Sequence, residues 1–283
     1  MHRITTRRLV FAVLLLFLVV ALPTIVLAHH AWSDYHWART ANPFTVKMGN
    51  NVSSAWQTSL TNASSDWNTS TVLNSQIVTG GTRPRNCRPT SGRDEICSAK
   101  YGNTGWLGLA QIWLTTGDHI VQGVVKLNDT YFTTGSQYDT PSWRALVTCQ
   151  EIGHTFGLDH QDTNFNNANL GTCMDYTSNP DGPPSNTSPN KGDYDQLQCI
   201  YDPSSAGQTL KTTTHSCTGT GHLDSFTTIG QTTKMPAAMT IVDYSEPNQW
   251  GKLIRGSRES GTSSYDLDFG HGNHIVTYVM WVK

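Results

Sequence analysis

Charge is scarce in this chain. Charged residues occupy 14 % of its 283 positions, against about 25 % in ordinary soluble domains, and Ser, Thr, Asn and Gly fill the gap. A basic excess is missing as well. The formal net charge is −2, so the positive footprint that grips a nucleic-acid backbone is absent and nucleic acid is not an expected partner. No C-x-x-C spacing occurs among the six cysteines, which argues against a cysteine-built zinc site. There is no internal repeat and no low-complexity tract long enough to specify a partner. Long apolar runs are lacking beyond the first 28 residues.

That opening segment has Arg3, Arg7 and Arg8, an apolar run from Leu9 to Leu22, then Pro23 and a small-residue end at Ala28. This is the layout of a signal peptide, with cleavage expected before His29. An apolar core of this length is short for a membrane span, so no stable membrane association is expected after cleavage. An uncleaved signal anchor over residues 9–28 is the alternative. Removing residues 1–28 lowers the basic count from nineteen to sixteen against twenty-one acids, a formal charge of −5. About 255 residues then remain, enough for one well-cored domain and a small appendage. The expected divisions are a signal peptide at 1–28, a main domain at 29–203 and a small β-rich region at 204–283. An even number of cysteines in an exported chain can pair fully. Cys87 and Cys97, separated by a polar loop, are the one local pair the sequence points to. Asn51, Asn62, Asn68, Asn128 and Asn186 lie in Asn-x-Ser/Thr sites and would accept glycans in a eukaryotic secretory path.

Pattern reading predicts a strand over residues 43–48, a helix over 53–68 and a second strand over 74–78. Two strand-like runs follow at 106–114 and 120–127, joined by a turn at Thr116-Gly117-Asp118. A longer helix is predicted to start with Thr140 as cap and Pro141 at its first position, and to end at Gly157. Residues 159–190 are rich in Asn, Asp, Gly and Pro and read as irregular. A last helix is expected over 191–201, a boundary at Pro203-Ser204-Ser205, and alternating segments (KLIRGS, SYDLDFG, HIVTYVMWV) beyond it. The order of strands and helices gives an α+β class.

The chemistry concentrates in the run Thr148 to His160. On a helix, Ala145, Cys149, Ile152 and Phe156 fall on one stripe, expected to be buried. Gln150 and His154, four apart, share another face and can approach one ion. Glu151 sits beside that face, placed to take a proton from an activated water. Gly157 tolerates positive φ and so lets the chain swing back, bringing His160 towards the same point.

These residues resemble the metzincin signature H-E-x-x-H-x-x-G-x-x-H, matched at Glu151, His154, Gly157 and His160 and broken at Gln150. Gly171 to Tyr176 looks like the family's Met-turn, with Met174 in the methionine's place and Tyr176 matching a tyrosine found near the zinc in some branches. The strand Leu107-Gly108-Leu109-Ala110 is similar to the family's edge strand. The resemblance covers about residues 42–202 and leans towards the matrixins. It implies a twisted mixed sheet with an active-site helix and Met-turn, Zn²⁺ held by Gln150, His154 and His160, and Glu151 and Tyr176 in catalysis. It further implies Met174 and Gly157 in support, an extended peptide or protein substrate along Gly108, Leu109 and Ala110, and a secreted monomer. Gln150 departs from the family, because zinc prefers imidazole nitrogen to amide oxygen. A neutral amide nevertheless leaves the ion its full charge. Two readings follow: a secreted zinc endopeptidase, or an inactive peptidase-like binding protein for protein or cell-wall sugar. Retention of Glu151 favours the first. Trp32, Trp37, Trp250 and Trp281 are core filling on the plain reading and a sugar-binding surface on the alternative. The remaining histidines show no ligand spacing.

Overall fold

A computed structural model describes residues 30–202, 209–211, 216–218, 235–240 and 244–283. The signal-like segment 1–28 and the expected boundary at 203–205 lie outside them. Alternation builds the first long strand. In β2 (Phe44–Asn51), after the short β1 (His36–Trp37), Phe44, Val46 and Met48 face the core while Thr45 and Lys47 face solvent. Helix α1 (Gln57–Trp67) buries Leu60, Ala63 and Trp67 and leads into β3 (Leu73–Thr79), then β4 (Arg93–Ala99). Next come β5 (Trp106–Thr115) and β6 (His119–Asn128), both buried along their whole length, β6 together with its polar Gln122 and Lys126. Their connecting turn holds Gly117 and Asp118 at positive φ, the conformation of a tight hairpin.

Besides strands of two or three residues, sequence reading missed one full-length strand, β4. Its Arg93, Asp94 and Glu95 disguise it as loop, yet Asp94 and Glu95 are buried. Glu95 takes hydrogen bonds from Asn51, Thr90 and Arg93, and Asp94 takes one from Thr155.

Helix α2 (Pro141–Thr155) is capped by Thr140, whose side chain accepts from the Trp143 N–H. Helix α3 (Lys191–Tyr201) opens with a capping box between Asn190 and Asp193. The short β7 (Thr209–Lys211) and β8 (Ser216–Thr218) form a separate ribbon. The chain ends in β9 (Lys252–Ser257), β10 (Thr262–Asp268) and β11 (His274–Trp281).

These last three strands correct the expectation of a small appended β unit, because they continue the main sheet. Its order is β3-β2-β4-β6-β5-β11-β10-β9, with β1 also on β6. The β3, β2, β4 and β6 neighbours are parallel, and from β6 onward every pair is antiparallel. The result is a mixed sheet in an α+β fold. One core includes Trp67, Ile112, Ile152 and Phe156. The other includes Trp106, Trp113, Trp250 and Trp281. Trp37, Trp250 and Trp281 are therefore core residues, and Trp32 is partly buried against Tyr278, so these four provide no open stacking platform.

Two disulfides close within the described residues, Cys87–Cys97 and Cys149–Cys173, and Cys199 is also disulfide-bonded. Such bonding suits an oxidising compartment. No helix among the described residues is long and apolar enough to cross a membrane.

Candidate metal and catalytic centre

The expected stripe on α2 is present at Cys149, Ile152 and Phe156, but the opposite side is covered too: Leu146 to Thr155 are all buried. Gly157 stands just beyond the helix at φ +90°. A Cβ there would lie 2.2 Å from the Tyr35 carbonyl oxygen, so both conformation and space demand glycine. The swing it allows brings His160 to His154, with rings 4.5 Å apart and nearly perpendicular.

The two imidazoles meet through their Nε2 atoms, 3.1 Å apart. His154 Nδ1 lies 2.8 Å from the Leu158 carbonyl oxygen, which can only accept, so the proton sits on Nδ1. His160 Nδ1 faces the Asp159 carboxylate at 3.3 Å, which places its proton there as well. Two nitrogen lone pairs thus point at one another, an arrangement that repels unless a cation is shared. A proton is poorly suited to that role, because burial, then the neighbouring His160, push His154 down to about 3, and burial lowers His160 also. Zinc suits it well. Zn–N bonds of about 2.0–2.1 Å allow two nitrogens 3.1 Å apart to bind one ion. Asp159 orients His160 in turn. Burial pushes this carboxyl up, but hydrogen bonding from His160 and the charge of Arg255 outweigh burial and hold it below its ordinary value.

Gln150 lies one helical turn before His154 on α2. Its Nε2 donates to the Cys173 carbonyl at 2.7 Å, while its Oε1 is buried with no hydrogen-bond partner. The amide therefore presents an oxygen lone pair, the donor a cation needs. The Cys149–Cys173 disulfide ties this part of α2 to the turn that supplies that carbonyl. Among the described residues no three His, Cys, Asp or Glu side chains gather as a metal-holding group. The donors available are two imidazoles and one amide.

Glu151 is 1 % exposed and neither of its carboxylate oxygens has a partner. Burial pushes its pKa well above the usual carboxylate range. Tyr176 stands edge-on to His160 at 4.4 Å, and burial, then the charge of Asp159, raise its phenol. Met174 is fully buried beneath α2. A Cβ added at Gly153 would lie 2.5 Å from its sulfur, so the helix can rest on the methionine only because that residue is glycine. A narrow pocket beside Gln150 and Tyr176 is walled by Leu107, Leu146, Met280 and Trp281.

The expectation for Gly108, Leu109 and Ala110 needs correction. They are not on an open edge. In β11, Met280 pairs with Gly108, Val279 with Leu109 and Tyr278 with Ala110. Gly108 has a packing role, since a Cβ there would lie 2.5 Å from Val147 and 3.0 Å from Glu151. Three residues at the centre went unnoticed in the sequence. Asp159 adjoins His160 and could have been suspected as its orienting carboxylate. Tyr278, stacked on His154 at 4.4 Å and 8°, and Arg255, paired with Asp159, come from about 100 or more residues away and left no local signal.

No protein-family model matches the chain, and no curated protein matches it. Among solved structures the chain is similar, over 47 % of its length and 54 % of the other chain, to high choriolytic enzyme 1, a hatching-enzyme zinc protease from the medaka Oryzias latipes. The identity is 14 % and the TM-score 0.25, a likeness too slight to fix either fold or function.

Proposed function

We propose that the chain is a secreted zinc endopeptidase of metzincin type, with Gln150, His154 and His160 as ligands. The observation that carries this reading is the pair of Nε2 atoms facing each other at 3.1 Å; Gln150, one helical turn before His154, adds a buried amide oxygen with no hydrogen-bond partner. Three neutral donors leave the ion its double positive charge. Zinc in this setting supplies Lewis-acid activation of water and of the peptide carbonyl. Glu151, next to Gln150 on the helix, takes the proton of the attacking water and returns it to the leaving amine. Tyr176 keeps its proton, since its phenol is raised by burial, and so can donate a hydrogen bond to the developing oxyanion. Peptides or proteins are the substrate class, and residues 29–203 carry these groups.

The second reading, an inactive binding relative, is favoured by one observation: an amide stands where the family signature has its first histidine. Zinc content and cleavage separate the two. Purified protein should hold one zinc by native mass spectrometry and cleave a fluorogenic peptide in a chelator-sensitive way. Glu151→Gln should keep the zinc and lose about 10²–10⁴-fold in turnover. Zinc bound without cleavage under any condition supports the binding relative, and no zinc at all rejects both the ligand set and the mechanism.

A further inference from the structure

The edge of β5 beside α2 is filled by this chain's own end. From His274 to Trp281, β11 runs antiparallel to β5 over the full length of that strand's core-facing segment, with one irregularity near Trp281. Two side-chain contacts fasten it to the candidate centre. The Tyr278 ring lies flat on His154, 4.4 Å away, and packs at 5.5 Å against Trp32. Arg255, from β9 in the same three-stranded unit, pairs with Asp159, the carboxylate that orients His160, and lies 4.7 Å over the Trp32 ring. Under this cover Glu151 and Gln150 are 1 % exposed and His160 8 %. A general base covered in this way can act only in the small fraction of molecules whose strand is undocked.

We infer that residues 252–281 are a built-in inhibitor, with β11 occupying the strand edge on which an extended peptide would lie. This rests on the peptidase reading above and adds its regulation. β11 itself is buried from Ile275 to Trp281 and packs into both cores, so it docks firmly, and only the outer margin of the unit is open. Its outer strand, β9, is exposed almost throughout, with Leu253 and Ile254 at 46 % and 41 %. Tyr278 carries a buried hydroxyl with no hydrogen-bond partner, a cost that docking must bear and that undocking relieves. β11 is also no ordinary substrate. It lies between β5 and β10 and pairs with both, and it presents a ring to His154, so its backbone is held within the sheet instead of being offered for cleavage. Activation then consists of freeing β11, by cutting the chain or by pulling the strand away.

The test uses the full chain with a recognition sequence for a specific protease placed at Gly270-His271-Gly272. This β10–β11 turn has open space around Gly270. Cleaved protein should exchange β11 for a labelled peptide copying residues 274–283, seen by fluorescence anisotropy. In the presence of zinc, its hydrolysis of a fluorogenic peptide should rise about 100-fold, the gain expected if the strand is docked about 99 % of the time, and excess unlabelled copy peptide should reverse it. Equal rates before and after cutting would overturn the inhibitor while leaving the peptidase intact. Failure of the strand to exchange would overturn it too, by showing β11 to be permanent. Exchange with no hydrolysis in either form would remove the peptidase reading and the inhibition with it. Tyr278→Ala in the uncut chain provides a second measurement: faster hydrogen exchange of β5 amides and a several-fold higher rate are expected, and no change in both counts against the inference.

Discussion

Removing the disulfide at the candidate centre is the most quantitative test of how this site is held. Cys149 and Cys173 are 24 residues apart in sequence and both fully buried, so Cys149→Ala with Cys173→Ala leaves small apolar side chains and no stranded polar group. The chain-entropy relation for a closed loop of that size gives a loss of about 3.5 kcal/mol. For a protein of this length, 1 kcal/mol corresponds to about 2–4 °C in melting temperature, so the double variant should melt about 7–14 °C lower. The matched pair Cys87→Ala with Cys97→Ala closes a loop of only 10 residues and should cost about 2.7 kcal/mol by the same relation. Thermal melts followed by circular dichroism under non-reducing conditions give both values. The ranking carries the weight, because cavity effects are similar for the two pairs. The site adds a second readout: the Cys173 carbonyl anchors the Gln150 amide, so zinc affinity should fall in the first variant and stay unchanged in the second. A 149/173 variant that melts within about 2 °C of the parent, less than 1 kcal/mol on the same scale, or the reverse ranking, would refute the claim that this crosslink holds the helix to the turn.

Gln150→His should bind zinc at least about 10-fold more tightly, since imidazole nitrogen suits zinc better than an amide oxygen; competition with a chromophoric chelator checks this, and equal affinity would mean that Gln150 is not a ligand. Gly153→Ala should lose about 1–2 kcal/mol in denaturant unfolding, because its Cβ would lie 2.5 Å from Met174 and 2.8 Å from Trp67, an overpacking cost larger than the alanine's helical gain. Asp94→Asn should stabilise the protein at pH 8 more than at pH 4. Burial pushes Asp94 up to about 8 from an ordinary 3.8, so the native state holds a proton the unfolded chain has released, and stability falls as pH rises through that window. Urea midpoints at the two pH values decide it, and a gain independent of pH would contradict the assignment.

Local chemistry was legible from the sequence wherever its causes are local. Thr140 and Pro141 mark the start of α2 and Gly157 its end, because caps and positive φ depend on neighbours only. Alternation and strand-like runs revealed β2, β5 and β6 for the same reason, and the shared face of Gln150 and His154 on α2 follows from helix pitch. What only tertiary structure decided involves partners distant in the chain. β4 stayed hidden because Asp94 and Glu95 are buried by means of Thr155, Asn51 and Thr90, which hydropathy cannot foresee. The covering of the β5 edge was equally illegible: HIVTYVMWV alternates like any strand, and a strand's pattern states that one face is buried without naming the neighbour. Pairing with β5 is fixed by hydrogen bonds between backbones, which are alike in every residue, together with the fit of Tyr278 over His154 and of Arg255 to Asp159. Those contacts form only after the sheet has brought residues 255 and 278 to α2, so the sequence could point to the candidate donors while the tertiary structure alone determined that the centre is closed.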